Sequence, residues 1–195
     1  MKTKLLTILI LIYSISSFAQ SKREVLTTFA SGIVYNNQSG LGNENSIGFA
    51  TITGIETNIN KNLFLFCGVD FQSISVKKYD DKYSLEGSIS IIPINFGIVL
   101  KASSNKWKPY LKLGTGIAFV STPFAEVESG TNFIKIKSNT RISAIVQSGI
   151  GLEWNYKPTL IPFIEVYNLH TFAKSDVQNK GLWTFPVVIG LKIKM

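Results

Sequence analysis

The chain is poor in the residues that usually carry chemistry. Of its 195 residues one is Cys, one is His, and only 16% are charged. A fold stapled by intramolecular disulfides is excluded, because Cys67 has no second cysteine to join. Phosphate loops, zinc clusters and calcium loops are missing as well. Past the first twenty residues, no apolar run approaches the roughly 18 to 20 residues that a membrane-spanning helix needs. Yet mean hydropathy is +0.21, and with 45% hydrophobic and 12% aromatic residues the chain is too apolar to be disordered. The length suits one domain. Its hydrophobicity must therefore be distributed without a mature helix.

The N-terminus explains part of it. Lys2 and Lys4 precede an apolar stretch from Leu5 to Ile15, and Ser17-Phe18-Ala19 puts small residues where a signal peptidase cuts. A cleaved signal peptide is expected over 1–19, with a single domain over 20–195. Gln20 stands where a lipoprotein would have its acylated cysteine. An exported chain with a net charge of +8 is an unsuitable nucleic-acid partner in spite of its basic balance.

The remainder alternates at period two. Eight strands are expected, at 24–36, 46–58, 62–76, 86–100, 108–122, 138–154, 159–172 and 182–194. The third sets Leu63, Leu65, Cys67, Val69 and Phe71 against Gly68, Asp70 and Gln72, and the last sets Trp183, Phe185, Val187, Ile189, Leu191 and Ile193 against Thr184, Gly190 and Lys192. Connections alternate between short (59–61, 101–107, 155–158) and long or polar (37–45, 77–85, 123–137, 173–181). Short turns on one rim and long loops on the other are the layout of an all-β, eight-stranded, antiparallel up-and-down transmembrane barrel. Residues 122–139, with the tip "ESGTN", are expected to carry the fifth and sixth strands beyond the membrane.

A soluble lipocalin-like barrel that binds lipid in the periplasm is the structural alternative. It would turn its oily face inward and show water a face rich in Lys, Glu, Asp and Thr. Here the second face reads mainly as Gly, Ser, Ala, Asn and Gln with single charges, which suits a crowded lumen. The oily face is nearly free of charge, as lipid requires. Aromatics fall into two sets: Trp107, Tyr110, Trp154 and Tyr156 beside the short turns, and Phe49, Phe71, Phe119, Phe172 and Trp183 toward the long loops. Rings of this kind favour the headgroup interface. Trp107, Tyr110, Trp154, Tyr156 and Trp183 are the expected interface aromatics.

The Ala19-Gln20 cleavage site, the segment "SIIPINFGIVLKASSNKWKPYLKLGTGIAF" and the closing "VVIGLKIKM" resemble the small outer-membrane β-barrel family, the OmpX-like and PorT-like proteins of Gram-negative bacteria. The resemblance spans nearly all of the chain after residue 19 and carries no catalytic motif. It implies an outer-membrane location, contact with membrane lipid and lipopolysaccharide, and a monomer. Met195 departs from the aromatic last residue of many such barrels.

An eight-stranded barrel is just wide enough to be filled by side chains. Glu56, Asp70, Lys112, Arg141, Glu153 and Glu165 are therefore expected to pair in the lumen as a structural polar network. No cofactor or metal is expected. The leading function is noncatalytic: envelope integrity, adhesion or partner binding through outer loops, whose Lys77, Lys78, Lys82, Lys135, Lys137, Lys174 and Lys180 are placed to meet lipopolysaccharide or a protein partner. The alternative is a lipase or acyltransferase centred on His170, with Thr171, Ser175 and Asp176 nearby in sequence. A triad needs convergence in space, which sequence proximity does not provide. Cys67 reads as a small apolar residue of the oily face.

Overall fold

The computed structural model describes residues 24–36, 46–80, 83–103, 106–122, 125–129, 132–136, 139–172 and 181–195. Within these segments side chains are described except at 46, 76–86 and 122–138. The expected signal peptide, the side chains of Lys77, Lys78, Lys82, Lys135 and Lys137, and Lys174, Ser175, Asp176 and Lys180 all lie outside these limits.

Eight strands close into one antiparallel barrel. They are β1 (Val25–Asn36), β2 (Ser46–Asn58), β3 (Leu63–Asp80), β4 (Tyr83–Lys101), β5 (Trp107–Thr122), β8 (Asn139–Trp154), β9 (Leu160–Thr171) and β10 (Leu182–Lys194). β6 (Ala125–Ser129) and β7 (Asn132–Ile136) form a separate two-stranded sheet between β5 and β8 in the chain. Each barrel strand pairs with its neighbour in chain order, β5 pairs with β8, and β1 closes on β10 through the run Leu26↔Lys194 to Tyr35↔Phe185. Closure leaves the barrel without an edge, so every ladder finds a partner.

Alternation in the sequence becomes alternation in burial. Along β8, Ser143, Ile145, Gln147 and Gly149 are buried while Ile142, Val146 and Ile150 are exposed. The same parity leaves Phe29, Ile33, Phe49, Val69, Ile94, Phe96, Leu113, Ile117, Val166, Ile189 and Leu191 on the outside. Contiguous apolar surface of this extent belongs in hydrocarbon, not in water. Water would also demand polar residues at these positions, so the lipocalin-like alternative fails on the outer face.

The two rims differ. At the short-turn rim the strand ends are bound to one another: Asn58 N donates to Glu24 O at 3.2 Å, Lys194 N to Thr159 O at 2.9 Å and Met195 N to Val25 O at 3.0 Å. The β2–β3 turn is shaped by Asn60, whose Oδ1 accepts from the backbone N–H of Asn62 (3.0 Å) and Leu63 (2.9 Å). At the long-loop rim β3 and β4 outrun their neighbours. β2 pairs with β3 as far as Ile74 and β5 with β4 as far as Ser90, whereas the β3–β4 ladder continues to Asp80↔Tyr83. Expectation and structure differ over residues 122–139. The β5–β8 ladder stops at Thr122↔Asn139, just before Pro123, whose ring nitrogen has no proton to donate. The chain instead makes the small β6–β7 sheet, with β6 against β4.

Candidate functional site

The lumen is filled in layers. Nearest the short turns, Glu56 of β2, Lys101 of β4, Glu153 of β8 and Lys192 of β10 form a neutral quartet. Lys101 Nζ stands 2.8 Å from Glu56 Oε2 and 2.7 Å from Glu153 Oε1. Lys192 Nζ stands 2.7 Å from Glu153 Oε1 and also binds Glu56 Oε1. Each lysine further rests on a ring, Lys101 at 4.1 Å from the centroid of Phe64 and Lys192 at 4.6 Å from that of Tyr110. One step along the axis, Lys112 Nζ binds Glu165 Oε1 at 3.0 Å, and Tyr110 donates its hydroxyl to Glu165 Oε2 at 2.7 Å. The third layer is uncharged except for Asp70. Its Oδ2 accepts from Asn95 Nδ2 (3.1 Å) and from the Tyr167 hydroxyl (3.3 Å), while Thr184 Oγ1 donates to Gln72 Oε1 at 2.8 Å.

Above these layers the lumen turns apolar. Val34, Ile74, Ile89, Ile91, Val120, Ile145, Leu169 and Leu182 are buried toward the long-loop ends of their strands. The inner face read from sequence as mainly small and polar also carries these large apolar side chains. Its charges gather in the short-turn half, while in the long-loop half the apolar side chains are interleaved with buried Asn36, Ser143, Gln147, Thr171 and Thr184. Side chains packed in this way fill the interior of an eight-stranded barrel.

Glu56, Asp70, Lys112, Glu153 and Glu165 are all buried inside the barrel. Arg141 has the same inward parity, opposite buried Val120 in the ladder, but it is only partly buried and stands at the long-loop end of β8, away from the charged layers. Two central residues escape the sequence reading. Lys101 reads as the start of a turn because Ala-Ser-Ser-Asn follows it, but it is the last residue of β4 and points inward. Lys192 is visible in the sequence as an inner-face residue of the last strand and simply lacks an assigned partner there. With neither lysine counted, the expected network holds an excess of carboxylates.

Tyr110 requires correction as an interface aromatic. It is 4% exposed, on the parity of Lys112, and its ring lies over Gly151 in the neighbouring strand, where a Cβ would collide with ring atoms. Trp107 and Trp154, ladder partners, stack on the outside with centroids 5.6 Å apart, and Tyr156 follows at 5.0 Å from Trp154. Trp183 is on the outer face at the other rim.

His170 also faces outward, held between Trp183 (centroids 4.2 Å apart) and Phe172 (4.6 Å). Thr171 takes the opposite parity. It is buried inward, and its Oγ1 accepts from Leu182 N at 3.2 Å. The two therefore cannot converge on one substrate. Cys67 is exposed on the outer face, and no cluster of metal-ligating side chains occurs among the described residues.

No family model and no curated protein matches the chain. Solved structures do. Neisserial surface protein A superposes with a TM-score of 0.55 at 13% identity, covering 90% of this chain and 100% of its own. A major outer membrane protein from Thermus thermophilus superposes with a TM-score of 0.51 at 13% identity, again over 90% of this chain and 100% of its own. These likenesses show the fold, a small closed eight-stranded antiparallel β-barrel like those of the two outer-membrane proteins, and the apolar outer belt and asymmetric rims are those of a barrel that spans a membrane.

Proposed function

We propose that this barrel is a noncatalytic, closed scaffold whose outer rim serves envelope integrity, adhesion or partner binding. One observation carries the reading. Paired charges and then a layer of packed, mainly apolar side chains fill the lumen, while the β3–β4 ladder and the β6–β7 sheet stand at the long-loop rim. A filled lumen leaves the rim as the place where partners are met. The loop lysines would contact lipopolysaccharide phosphates there, a protein partner would bind the same loops, and the barrel would act as a monomer. The narrower kinship with OmpX-like and PorT-like proteins rests on the segments around Pro93 to Phe119 and on the closing strand. Residues 1–19 act as a cleaved signal peptide, so sequencing the mature N-terminus should begin at Gln20. The decisive test is electrical. Purified barrel in planar bilayers should give no large stepwise conductance, and regular large steps would refute a closed lumen. Replacing residues 123–138 with a short Gly-Ser turn should abolish partner capture while leaving the heat-dependent gel shift of the folded barrel intact.

A further inference from the structure

The short-turn rim carries two spaces that meet. One is an apolar groove of about 780 Å³ on the outer surface of β4, β5, β8 and β9, walled by Leu100, Leu111, Ile150, Ile164 and Val166 where Ala102 and Pro109 leave room. The other is a polar chamber of about 220 Å³ lined by Lys61, Lys108, Ser103 and the edge of the quartet at Lys101 and Glu153. Asn62, Lys101 and Ala102 belong to both. Charge decides what suits the chamber. Lys101 is neutralised by Glu56 and Glu153, whereas Lys61 and Lys108 have no ion pair among the described residues. Lys106 and Lys157 are exposed on the same rim. The acid on this rim's surface, Glu24, is already paired with Lys194 at 3.2 Å. A basic chamber joined to an apolar groove, with Trp107 and Trp154 stacked at the same level, has the polarity of a single amphiphile.

We propose that this rim binds one anionic glycerophospholipid of the adjacent leaflet, its phosphate between Lys61 and Lys108 and an acyl chain in the groove. Two lysines near an anionic headgroup give a preference of about tenfold or more over a zwitterionic lipid of the same chains. The inference requires only that the barrel spans the membrane, and it is independent of what the outer loops bind.

The folded barrel in detergent, mixed with chain-matched phosphatidylglycerol and phosphatidylcholine and weighed by native mass spectrometry, provides the test. Wild-type protein should retain one phosphatidylglycerol about tenfold in preference to phosphatidylcholine. Lys61→Gln with Lys108→Gln should remove the preference, and Ala102→Trp, which fills the groove, should weaken retention of both lipids. Folding of each variant is checked by its heat-dependent gel shift. Equal retention of the two lipids by wild-type protein overturns the proposal without any variant. Persistence of the preference in the double lysine variant, or undiminished retention of both lipids by folded Ala102→Trp, overturns it too, since the first removes the lysines from recognition and the second removes the groove.

Discussion

Lys192 and Glu153 meet at 2.7 Å from strands that are not neighbours, since β9 stands between β10 and β8 in the barrel. Because Lys192 also binds Glu56 of β2, one ammonium joins three strands across the lumen and spans the β1–β10 closure. Lys192 is 0% exposed. Such a group is costly to desolvate and costlier to remove alone, because two buried carboxylates are then left to share Lys101. Lys192→Met should therefore lower the stability of the folded barrel by about 3 kcal/mol, read from urea unfolding in detergent. Adding Glu153→Gln to that variant should recover part of the loss, as one carboxylate then balances one lysine.

Gly151 is required by the ring above it. Tyr110 crosses from β5 onto Gly151 of β8, and an added Cβ would overlap its Cζ and hydroxyl. The ring cannot move freely, for its hydroxyl is bound to Glu165 and its face supports Lys192. Gly151→Ala should cost about 1 to 3 kcal/mol by overpacking. Tyr110→Phe, which keeps the ring and drops the hydroxyl, should cost about 1 kcal/mol. Urea midpoints of both variants against wild type check the order.

Much of the fold was legible because lipid imposes a simple rule on the outer face, and the rule repeats every second residue. β2 and β10 begin and end where alternation does. The lumen obeys a weaker rule. Inside a closed barrel an isoleucine, a glycine and a lysine can each be correct, depending on what the opposite wall supplies. Tyr110 illustrates this: beside a turn and next to Trp107 it looks like an interface ring, yet it shares the inward parity of Lys112, and the missing side chain of Gly151 makes room for it. Lys101 was obscured by the polar run that follows it. The β6–β7 sheet was hidden for the opposite reason, since alternation continues through residues 125–136 and says nothing about which strand each segment pairs with.

Asp70 should behave unlike the glutamates. Its described partners are two neutral donors, Asn95 and Tyr167, and its Oδ1 has no partner among the described residues. A buried carboxylate whose hydrogen bonds come only from neutral groups, and which Lys112 reaches through its charge without a direct ion pair, is poorly compensated. Asp70→Asn retains an oxygen for the Tyr167 hydroxyl and sheds the charge, so stability should stay level or rise by about 1 kcal/mol. Glu165→Gln, which deprives Lys112 of its counter-ion, should fall instead. A lower urea midpoint for Asp70→Asn than for Glu165→Gln would contradict this reading of the layers.

Phe96 tests which solvent the outer face meets. It is 57% exposed and pairs with Thr115, midway along β4 and β5. Phe96→Arg should destabilise the barrel in phospholipid vesicles by about 2 to 4 kcal/mol. The same change on a water-exposed strand would be nearly neutral. Ile193→Arg, at the short-turn end of β10, should cost less, about 0 to 1 kcal/mol, because headgroups and water are within reach there. Equal costs at the two depths would place the outer face in a medium other than a bilayer.

His170 should be dispensable to lipid chemistry. Its ring is packed between Trp183 and Phe172 on the outer face, and the adjacent hydroxyl of Thr171 is committed inside the barrel to Leu182. A histidine that acts as general base must reach the proton it removes, and its nucleophile must lie on the same side of the wall. Cells producing His170→Ala should therefore show an unaltered lipid A profile by mass spectrometry. The measurable effect should be local: loss of ring stacking at Trp183 should weaken the barrel by about 1 kcal/mol. A changed lipid A profile in cells whose barrel is folded and at normal abundance would restore an enzymatic role to this rim.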